Sequence, residues 1–214
     1  MKFFPDEQEE EIAWMANLLD KIQSEKFRVQ KFRTSRKGKF MVSGWADYGY
    51  LSGEFRDDLF HLKQKRNILQ SFHRAIIDEQ PPNHVIERSD LWALADKMAW
   101  GENPIVCHVR IEKAIRKLVG LLEPLELPRQ LIQGDPDHIF FSDDEPPALI
   151  DLSWHYRPAD FALAVLAVDV LSCWCKAECT CLDPEEVYNV FADINQFNQL
   201  LLRAVLRRVL EIEG

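Results

Sequence analysis

The chain has 214 residues, of which 47% are hydrophobic and 29% are charged, and its formal net charge is −9. These proportions are ordinary for a globular protein and exclude a mainly disordered chain. Because the average field repels nucleic-acid phosphates, we expect neither DNA nor RNA as the main partner. A cationic small molecule would be attracted by the same field.

The first predicted elements are a helix and a β-hairpin. Asp6 and Glu9 stand at the spacing of a capping box, and apolar residues at helical spacing continue over residues 6–23. Residues 27–51 alternate apolar and polar side chains, as a half-buried β-strand does. The segment Ser35 to Lys39 contains a glycine and divides this stretch, so it predicts the turn of the hairpin.

The remainder is predicted to be mainly helical with one small β region at residues 131–151, where turn-forming residues separate short apolar runs. Periodicity predicts helices over about residues 57–80, 90–100, 105–122, 158–178 and 184–211. Because strands and helices are segregated rather than alternating, the pattern indicates an α+β fold. Gly53 predicts a break, which separates a small N-terminal part (1–53) from a helical part (54–214).

The sequence predicts neither a targeting segment nor a membrane span. The longest apolar run, Phe161 to Leu171, carries Asp169 and is too short to cross a bilayer, so we expect a buried helix and a cytoplasmic protein. Four of the five cysteines lie in residues 173–181 at a spacing that is not the one typical of zinc sites. We therefore expect unbridged thiols there and no zinc.

Two aspartates follow predicted short strands and are candidates for chemistry. Asp135 follows the run ending at Gln133-Gly134, and Asp151 follows Ala148-Leu149-Ile150. Side chains at the ends of two strands can converge at the rim of a sheet, and converging carboxylates can hold a divalent metal or divide the roles of base and ligand. The alternative is turn chemistry, since Gly-Asp and Asp-Pro are common turn dipeptides.

These two segments resemble the catalytic motifs of the aminoglycoside-phosphotransferase branch of the kinase-like superfamily. The family's catalytic loop and the strand after it are matched by Gln133-Gly134-Asp135-Pro136-Asp137-His138-Ile139-Phe140-Phe141 and Ala148-Leu149-Ile150-Asp151-Leu152-Ser153. The likeness extends less specifically over most of residues 1–175, including Ser153-Trp154-His155-Tyr156-Arg157-Pro158 and Gly44-Trp45-Ala46. The implied fold is protein-kinase-like, with a truncated N-terminal lobe and a mainly helical C-terminal lobe.

The resemblance also implies roles for individual residues. Asp135 would be the catalytic base that orients an acceptor hydroxyl, and Asp151 would bind the Mg²⁺ that bridges nucleotide phosphates. His138 stands where the family has a metal-binding Asn. Lys2 would be the phosphate-binding lysine, with Glu10 or one of its two glutamate neighbours as its helix partner.

The implied activity is an ATP- or GTP-dependent phosphotransferase that acts on a hydroxyl of a small molecule. The alternative is a catalytically degenerate relative with a binding or regulatory role. It is favoured by Gln133 in place of the family's His, by His138 as a poor ligand for Mg²⁺, and by the absence of a Gly-rich loop. A truncated N-terminal lobe would leave sheet edge uncovered, so we expect a homodimer or another cover, or a true start upstream of Met1.

Overall fold

The computed structural model describes residues 1–4, 9–172 and 182–213. The chain forms two compact units. The N-terminal unit contains residues 1–56 and 138–152, and the helical unit contains residues 57–137 and 153–214. The sequence analysis placed residues 138–152 with the helical part, whereas in the structure they pack with residues 1–56.

Strands and helices follow one another in the described residues as an α+β arrangement, which confirms the predicted class. The strands are β1 (Lys2–Phe3), β2 (Arg28–Val29), β3 (Phe32–Arg33), β4 (Met41–Val42), β5 (Trp45–Tyr48), β6 (Gln130–Gln133), β7 (Ile139–Phe140), β8 (Ala148–Leu149) and β9 (Trp154–Arg157). The helices are α1 (Glu9–Lys21), α2 (Leu59–Ala75), α3 (Asn83–Ile86), α4 (Leu91–Ala99), α5 (Val109–Val119), α6 (Ala159–Ser172), α7 (Pro184–Phe191) and α8 (Phe197–Glu213).

Strand β5 is the centre of the first sheet of the N-terminal unit. It pairs antiparallel with β1, β3 and β4. Strand β3 pairs with residues 47–48 of β5 and β4 with residues 45–46, so the two short strands follow one antiparallel ladder. Residues 34–40 therefore leave this ladder as a loop and return to it.

The predicted turn is present within residues 27–51, since the Ser35 amide donates to the Lys39 carbonyl at 2.8 Å and the Gly38 amide donates to the Ser35 carbonyl at 2.9 Å. The prediction missed a second turn, Ser43-Gly44 between β4 and β5, with φ of 51° and 78°. Both values lie in the left-handed region that two-residue hairpin turns require. Strand β2 does not pair with the return strand. It pairs in parallel with β8, which also pairs antiparallel with β7.

Helix α1 occupies most of the predicted range, with Asp6 lying outside the described residues. Its buried side chains recur at helical spacing, and its first turn carries three glutamates, where the helix dipole favours anions. Inward-facing Phe32, Met41 and Ala46 supply the buried apolar side of the sheet. This alternation follows from the period of two along a strand.

The helical unit packs its helices around α6 and α8. Residues 161–168 of α6 are all buried, which confirms the predicted buried helix. Helix α8 packs against α6 and α4, and Leu206 and Leu210 join Ala95, Ala99 and Ile115 in one apolar cluster. The predicted single helix over 184–211 is two helices, because the chain turns before α8 at Gln196, with φ of 54°.

The predicted β region at 131–151 is divided between the units. Strand β6 pairs antiparallel with β9 in the helical unit, whereas β7 and β8 join β2 in the N-terminal unit. Strand β9 and the short helix α3 were not predicted. No helix within the described ranges has both the length and the apolar character that crossing a bilayer requires.

Two glycines with the same backbone conformation allow a matched test of the β4–β5 turn. A Cβ at Gly44 would lie 2.5 Å from Phe3 Cε2 and 3.0 Å from the Phe4 carbonyl oxygen, whereas a Cβ at Gly38 would meet no atom within 4 Å. We expect Gly38→Ala to lower the free energy of unfolding by about 1 kcal/mol through its positive φ alone. Gly44→Ala should cost about 1–3 kcal/mol more, because the Phe3 ring and the Phe4 carbonyl must shift. Urea unfolding of both variants measures the difference, and equal costs would contradict the observed packing of β1.

Candidate functional site

Lys2 and Asp151 form an ion pair in the N-terminal unit. Lys2 is on strand β1, Asp151 follows β8, and the Nζ to Oδ1 distance is 2.7 Å. About half of each side chain is exposed, so solvent screens the pair and a competing anion can replace the carboxylate at little cost. The sequence analysis assigned both residues to phosphate and magnesium binding, and the structure brings these two together.

Asp151 has a φ of 45°, in the left-handed region. Asp tolerates this conformation better than most residues, but it still has a cost, and such positions cluster at ligand sites. The backbone turn directs the carboxylate towards Lys2, while the Asp151 amide lies 3.5 Å from the Gln30 Oε1 acceptor. Asp151 therefore holds an exposed carboxylate on a constrained backbone.

His138 lies beside the backbone of Asp151 rather than its carboxylate. The Nδ1 atom of His138 is 3.4 Å from the Asp151 carbonyl oxygen, and the Ile150 amide donates to the His138 carbonyl at 3.0 Å. These contacts join the two sides of the β7–β8 hairpin. A nitrogen ligand suits Mg²⁺ poorly, so of these two residues Asp151, through its carboxylate oxygens, is the better ligand.

Glu10 is exposed in the first turn of α1, and none of the described residues forms an ion pair with it. The ion pair of Lys2 is with Asp151, and the neighbouring Glu9 pairs with Lys39 at 3.6 Å. The predicted pairing of Lys2 with Glu10 is therefore not among the described contacts.

Asp135 lies in the helical unit, after β6, and its carboxylate faces two arginines of α8. Arg208 Nη1 donates to Asp135 Oδ1 at 3.1 Å, and Arg207 Nη2 is 3.8 Å from the same oxygen. Arg207 Nη1 also donates to the Gly134 carbonyl at 3.0 Å. The loop that was predicted to carry the catalytic base is thus fixed to α8 by its backbone and its side chain.

Arg208 is surrounded by carboxylates. It donates to both oxygens of Asp169 at 2.6 and 2.7 Å and to Glu211 at 2.7 Å. Burial alone would lower the pKa of Arg208, but Asp169, Glu211 and Asp135 outweigh it and raise that pKa. Arg208 therefore remains a fixed cation against which Asp135 is held.

Asp137, the second aspartate of the same loop, is also occupied. The Lys65 side chain on α2 is almost fully buried, and its Nζ lies 2.5 Å from Asp137 and 2.8 Å from Asp57. Burial alone would lower the pKa of Lys65, but the two carboxylates raise it above its ordinary value. The two carboxylates neutralise the buried Lys65 cation, so removing either of them would lower the stability of the fold.

Gln133, which stands in place of the family's His, has a structural role at the end of β6. Its Oε1 accepts a hydrogen bond from the Ser153 amide at 2.6 Å, and its own amide donates to His73 Nε2 at 3.1 Å. His73 is buried on α2, and burial lowers its pKa to about 3. These bonds fix the strand that leads into Gly134-Asp135.

The structure thus brings Lys2, His138 and Asp151 together in the N-terminal unit and places Asp135 in the helical unit. The expected convergence of Asp135 with Asp151 stays a prediction. The sequence analysis missed Arg207 and Arg208 as partners of Asp135. The sequence offered only a weak indication that these arginines are buried and paired. Arg207 and Glu211 stand at i and i+4 on α8, a spacing at which opposite charges attract.

Among the described residues, no three His, Cys, Asp or Glu side chains lie close enough to hold a metal ion by themselves. A magnesium ion that accompanies a nucleotide takes most of its ligands from water and phosphate, so one carboxylate such as Asp151 fits that use. Cys107 is a free thiol, and the predicted unbridged cysteines of residues 173–181 lie outside the described residues.

Comparison with protein-family models gave no match, and no curated protein matched the chain at a significant level.

The buried His73 gives the helical unit a defined response to pH. In the folded chain His73 stays neutral down to a pKa of about 3, whereas in the unfolded chain it protonates near its ordinary value of 6.5. Between these values the unfolded state binds more protons, so the free energy of unfolding should fall as pH decreases, by up to about 1.4 kcal/mol per pH unit.

Removing the titrating group should remove this part of the response. His73→Gln retains an acceptor for the Gln133 amide but does not titrate, so its stability should fall less steeply with decreasing pH than that of the wild type. Urea unfolding of both proteins at several pH values measures the two slopes. Identical slopes would show that His73 is not the group responsible.

Proposed function

We propose that the chain is a kinase-like protein that binds the phosphates of ATP or GTP but has lost most or all phosphoryl transfer, and that its role is binding or regulation. The single observation that carries this proposal is the engagement of Asp135 by Arg207 and Arg208. A catalytic base must accept a hydrogen bond from the acceptor hydroxyl, and here the carboxylate already accepts one from Arg208 at 3.1 Å and lies 3.8 Å from Arg207.

Nucleotide binding is supported by the Lys2–Asp151 pair. A cation and an exposed carboxylate 2.7 Å apart offer one partner for phosphate oxygens and one for a magnesium ion. Lys2 can exchange its carboxylate partner for a phosphate because an exposed pair contributes only about 0–1 kcal/mol. Bound Mg²⁺ would neutralise phosphate charge, and the part of this chain in holding it would be the Asp151 carboxylate.

A second candidate is an active phosphotransferase that acts on a hydroxyl of a small, cationic molecule. It is favoured by the 27% exposure of the Asp135 side chain, which leaves this carboxylate within reach of an acceptor. The net charge of −9 favours a cationic acceptor for the same reason that it disfavours nucleic acid. Both candidate functions use the same nucleotide site, and they differ in whether a phosphoryl group is transferred.

Nucleotide binding is tested by calorimetric titration and thermal shift with ATP and GTP, each with and without Mg²⁺. Lys2→Ala should weaken binding at least about tenfold, since a phosphate contact to a cation is lost. Lys113→Ala, at an exposed lysine of α5, is the matched control and should bind as the wild type does. The magnesium dependence should be small, because His138, a nitrogen ligand, stands where the family has an oxygen ligand for Mg²⁺.

The test of the degenerate assignment is separate. Asp151→Asn should change nucleotide affinity in Mg²⁺ only slightly, and Asp144→Asn in the neighbouring exposed turn serves as its control. A large magnesium-dependent shift that Asp151→Asn abolishes, together with ADP formation that Asp135→Asn abolishes, would establish the active phosphotransferase. Absence of a shift with every nucleotide would disprove nucleotide binding itself.

A further inference from the structure

Positive charge is concentrated in one short segment of this acidic chain. Residues 26–39 contain seven lysines and arginines and no acidic residue, so the remaining chain has 19 basic and 35 acidic residues. The basic loop, residues 34–40, leaves the β3–β4 ladder and returns to it, with Gly38 in the left-handed conformation at its tip. Three of the seven cations, Arg36, Lys37 and Lys39, lie in this loop, and all three are exposed.

Several of these cations lack an ion-pair partner among the residues that the structure describes. Arg33 on β3 and Arg36 and Lys37 in the basic loop are exposed, and no described carboxylate lies within ion-pair distance of them. These neighbouring cations repel each other, and the repulsion destabilises the folded unit unless an anionic partner approaches. The loop is thus charged beyond what the N-terminal unit itself neutralises.

The acidic start of α1 adjoins the basic loop. Lys39 Nζ lies 3.6 Å from Glu9 Oε1, so the end of the loop and the first turn of α1 are in contact. Glu10 is exposed beside Glu9 and forms no ion pair with a described residue. Exposed side chains of opposite charge therefore share one region of the N-terminal unit, with Glu9 and Lys39 paired and Glu10, Arg36 and Lys37 without an ion-pair partner among the described residues.

An exposed apolar cluster lies on the same small sheet. The strand register places Phe3 and Val42 on either side of Trp45, and these side chains are 59%, 51% and 50% exposed. The Phe3 and Trp45 rings pack edge to face, with their centroids 5.5 Å apart. Val42 follows Lys39 by three residues, so the cluster begins within about 10 Å of the loop.

We propose that this surface, made of the basic loop, the first turn of α1 and the Phe3–Val42–Trp45 cluster, binds a second copy of this chain. In a two-fold dimer the basic loop of each copy would face the Glu9–Glu10 turn of the other. Such an isologous contact needs a surface that carries both members of each pair, as this one does. Aromatic side chains with arginine are also the composition typical of interface centres.

The presence of both charges argues against an occupant that carries only negative charge. A nucleic acid or an anionic membrane that approached the basic loop would also approach Glu9 and Glu10, which adjoin it. A second copy presents a cation to these glutamates and an anion to the loop. Strands β3 and β4, which both pair with β5, have no further partner strand among the described residues, which leaves an edge that a dimer would cover.

Charge reversal tests the proposal with the full-length chain. We expect sedimentation velocity to show a wild-type dimer whose fraction decreases with added salt. Arg36→Glu/Lys37→Glu and Glu9→Lys/Glu10→Lys should each weaken dimerisation at least about tenfold, because like charges then face each other. An equimolar mixture of the two variants should form a heterodimer, since the reversed loop then faces the reversed turn and the unchanged loop faces the unchanged turn, so that opposite charges meet at both contacts.

Two control variants change the net charge equally at exposed sites elsewhere. Lys113→Glu/Lys117→Glu on α5 and Glu185→Lys/Glu186→Lys in the first turn of α7 should dimerise as the wild type does. Circular dichroism and thermal unfolding check that every variant is folded. The outcome of mixing does not depend on nucleotide, so it is independent of the proposed function.

Three outcomes would overturn the proposal. The first is a wild-type chain that stays monomeric at every concentration, and the second is a dimer that neither reversal weakens. The third is a mixture of two folded, monomeric variants that fails to associate. If the monomeric wild type instead bound a labelled oligonucleotide or an anionic vesicle through Arg36 and Lys37, the loop would belong to that kind of partner.

Discussion

Two adjacent arginines on α8 supply the polar interactions on which the helical unit depends. Arg207 is completely buried, and it donates to Glu211 at 2.7 Å and to the Gly134 carbonyl at 3.0 Å. Arg208 holds the Asp169 carboxylate of α6 through two hydrogen bonds. A buried cation without partners would cost several kcal/mol, so α6, α8 and the loop after β6 must adopt these positions together. The apolar contacts of α8 with α4 and α6 surround this charged centre.

The same requirement restricts what the loop after β6 can do. Asp135 helps to neutralise Arg208, and Asp137 helps to neutralise the buried Lys65. A carboxylate held by a structural cation is a poorer candidate for a catalytic base, because Oδ1 of Asp135 already accepts a hydrogen bond from Arg208 and has less capacity for an acceptor hydroxyl. By contrast, the Lys2–Asp151 pair is exposed and supports no buried charge. This difference between the two units is why we propose ligand binding in preference to phosphoryl transfer.

The N-terminal unit depends on strands that are distant in sequence. Strand β2 pairs with β8, which lies more than a hundred residues later, and β1 pairs with β5. Each paired segment is short, so its stability comes from burial of one face rather than from the number of hydrogen bonds. The other face keeps exposed aromatic side chains, and the loop within the β3–β4 ladder keeps unneutralised cations. This exposed surface is the part of the N-terminal unit that is available for association.

The sequence by itself determined the local structure wherever a short-range pattern was sufficient. The periodicity of Ile12, Met15 and Leu19 predicted α1, and the continuous apolar run in residues 161–168 predicted a buried helix. Segregation of strands from helices predicted the α+β class, and the resemblance supplied Lys2 and Asp151, which the structure places in contact. In each of the local predictions the deciding interactions lie within one element, so neighbouring residues contain the information.

Only the tertiary structure decided which elements pair and which charges neutralise each other. Residues 27–51 predicted strands correctly, but the partner of β2 is β8, because strand pairing depends on the burial of faces formed by distant residues. Asp135 and Asp137 look like members of one catalytic loop in sequence, yet their cations come from α8 and α2. The sequence shows that both are acidic. Whether a carboxylate is available for chemistry depends on the cations that folding brings to it, and those lie more than 70 residues away.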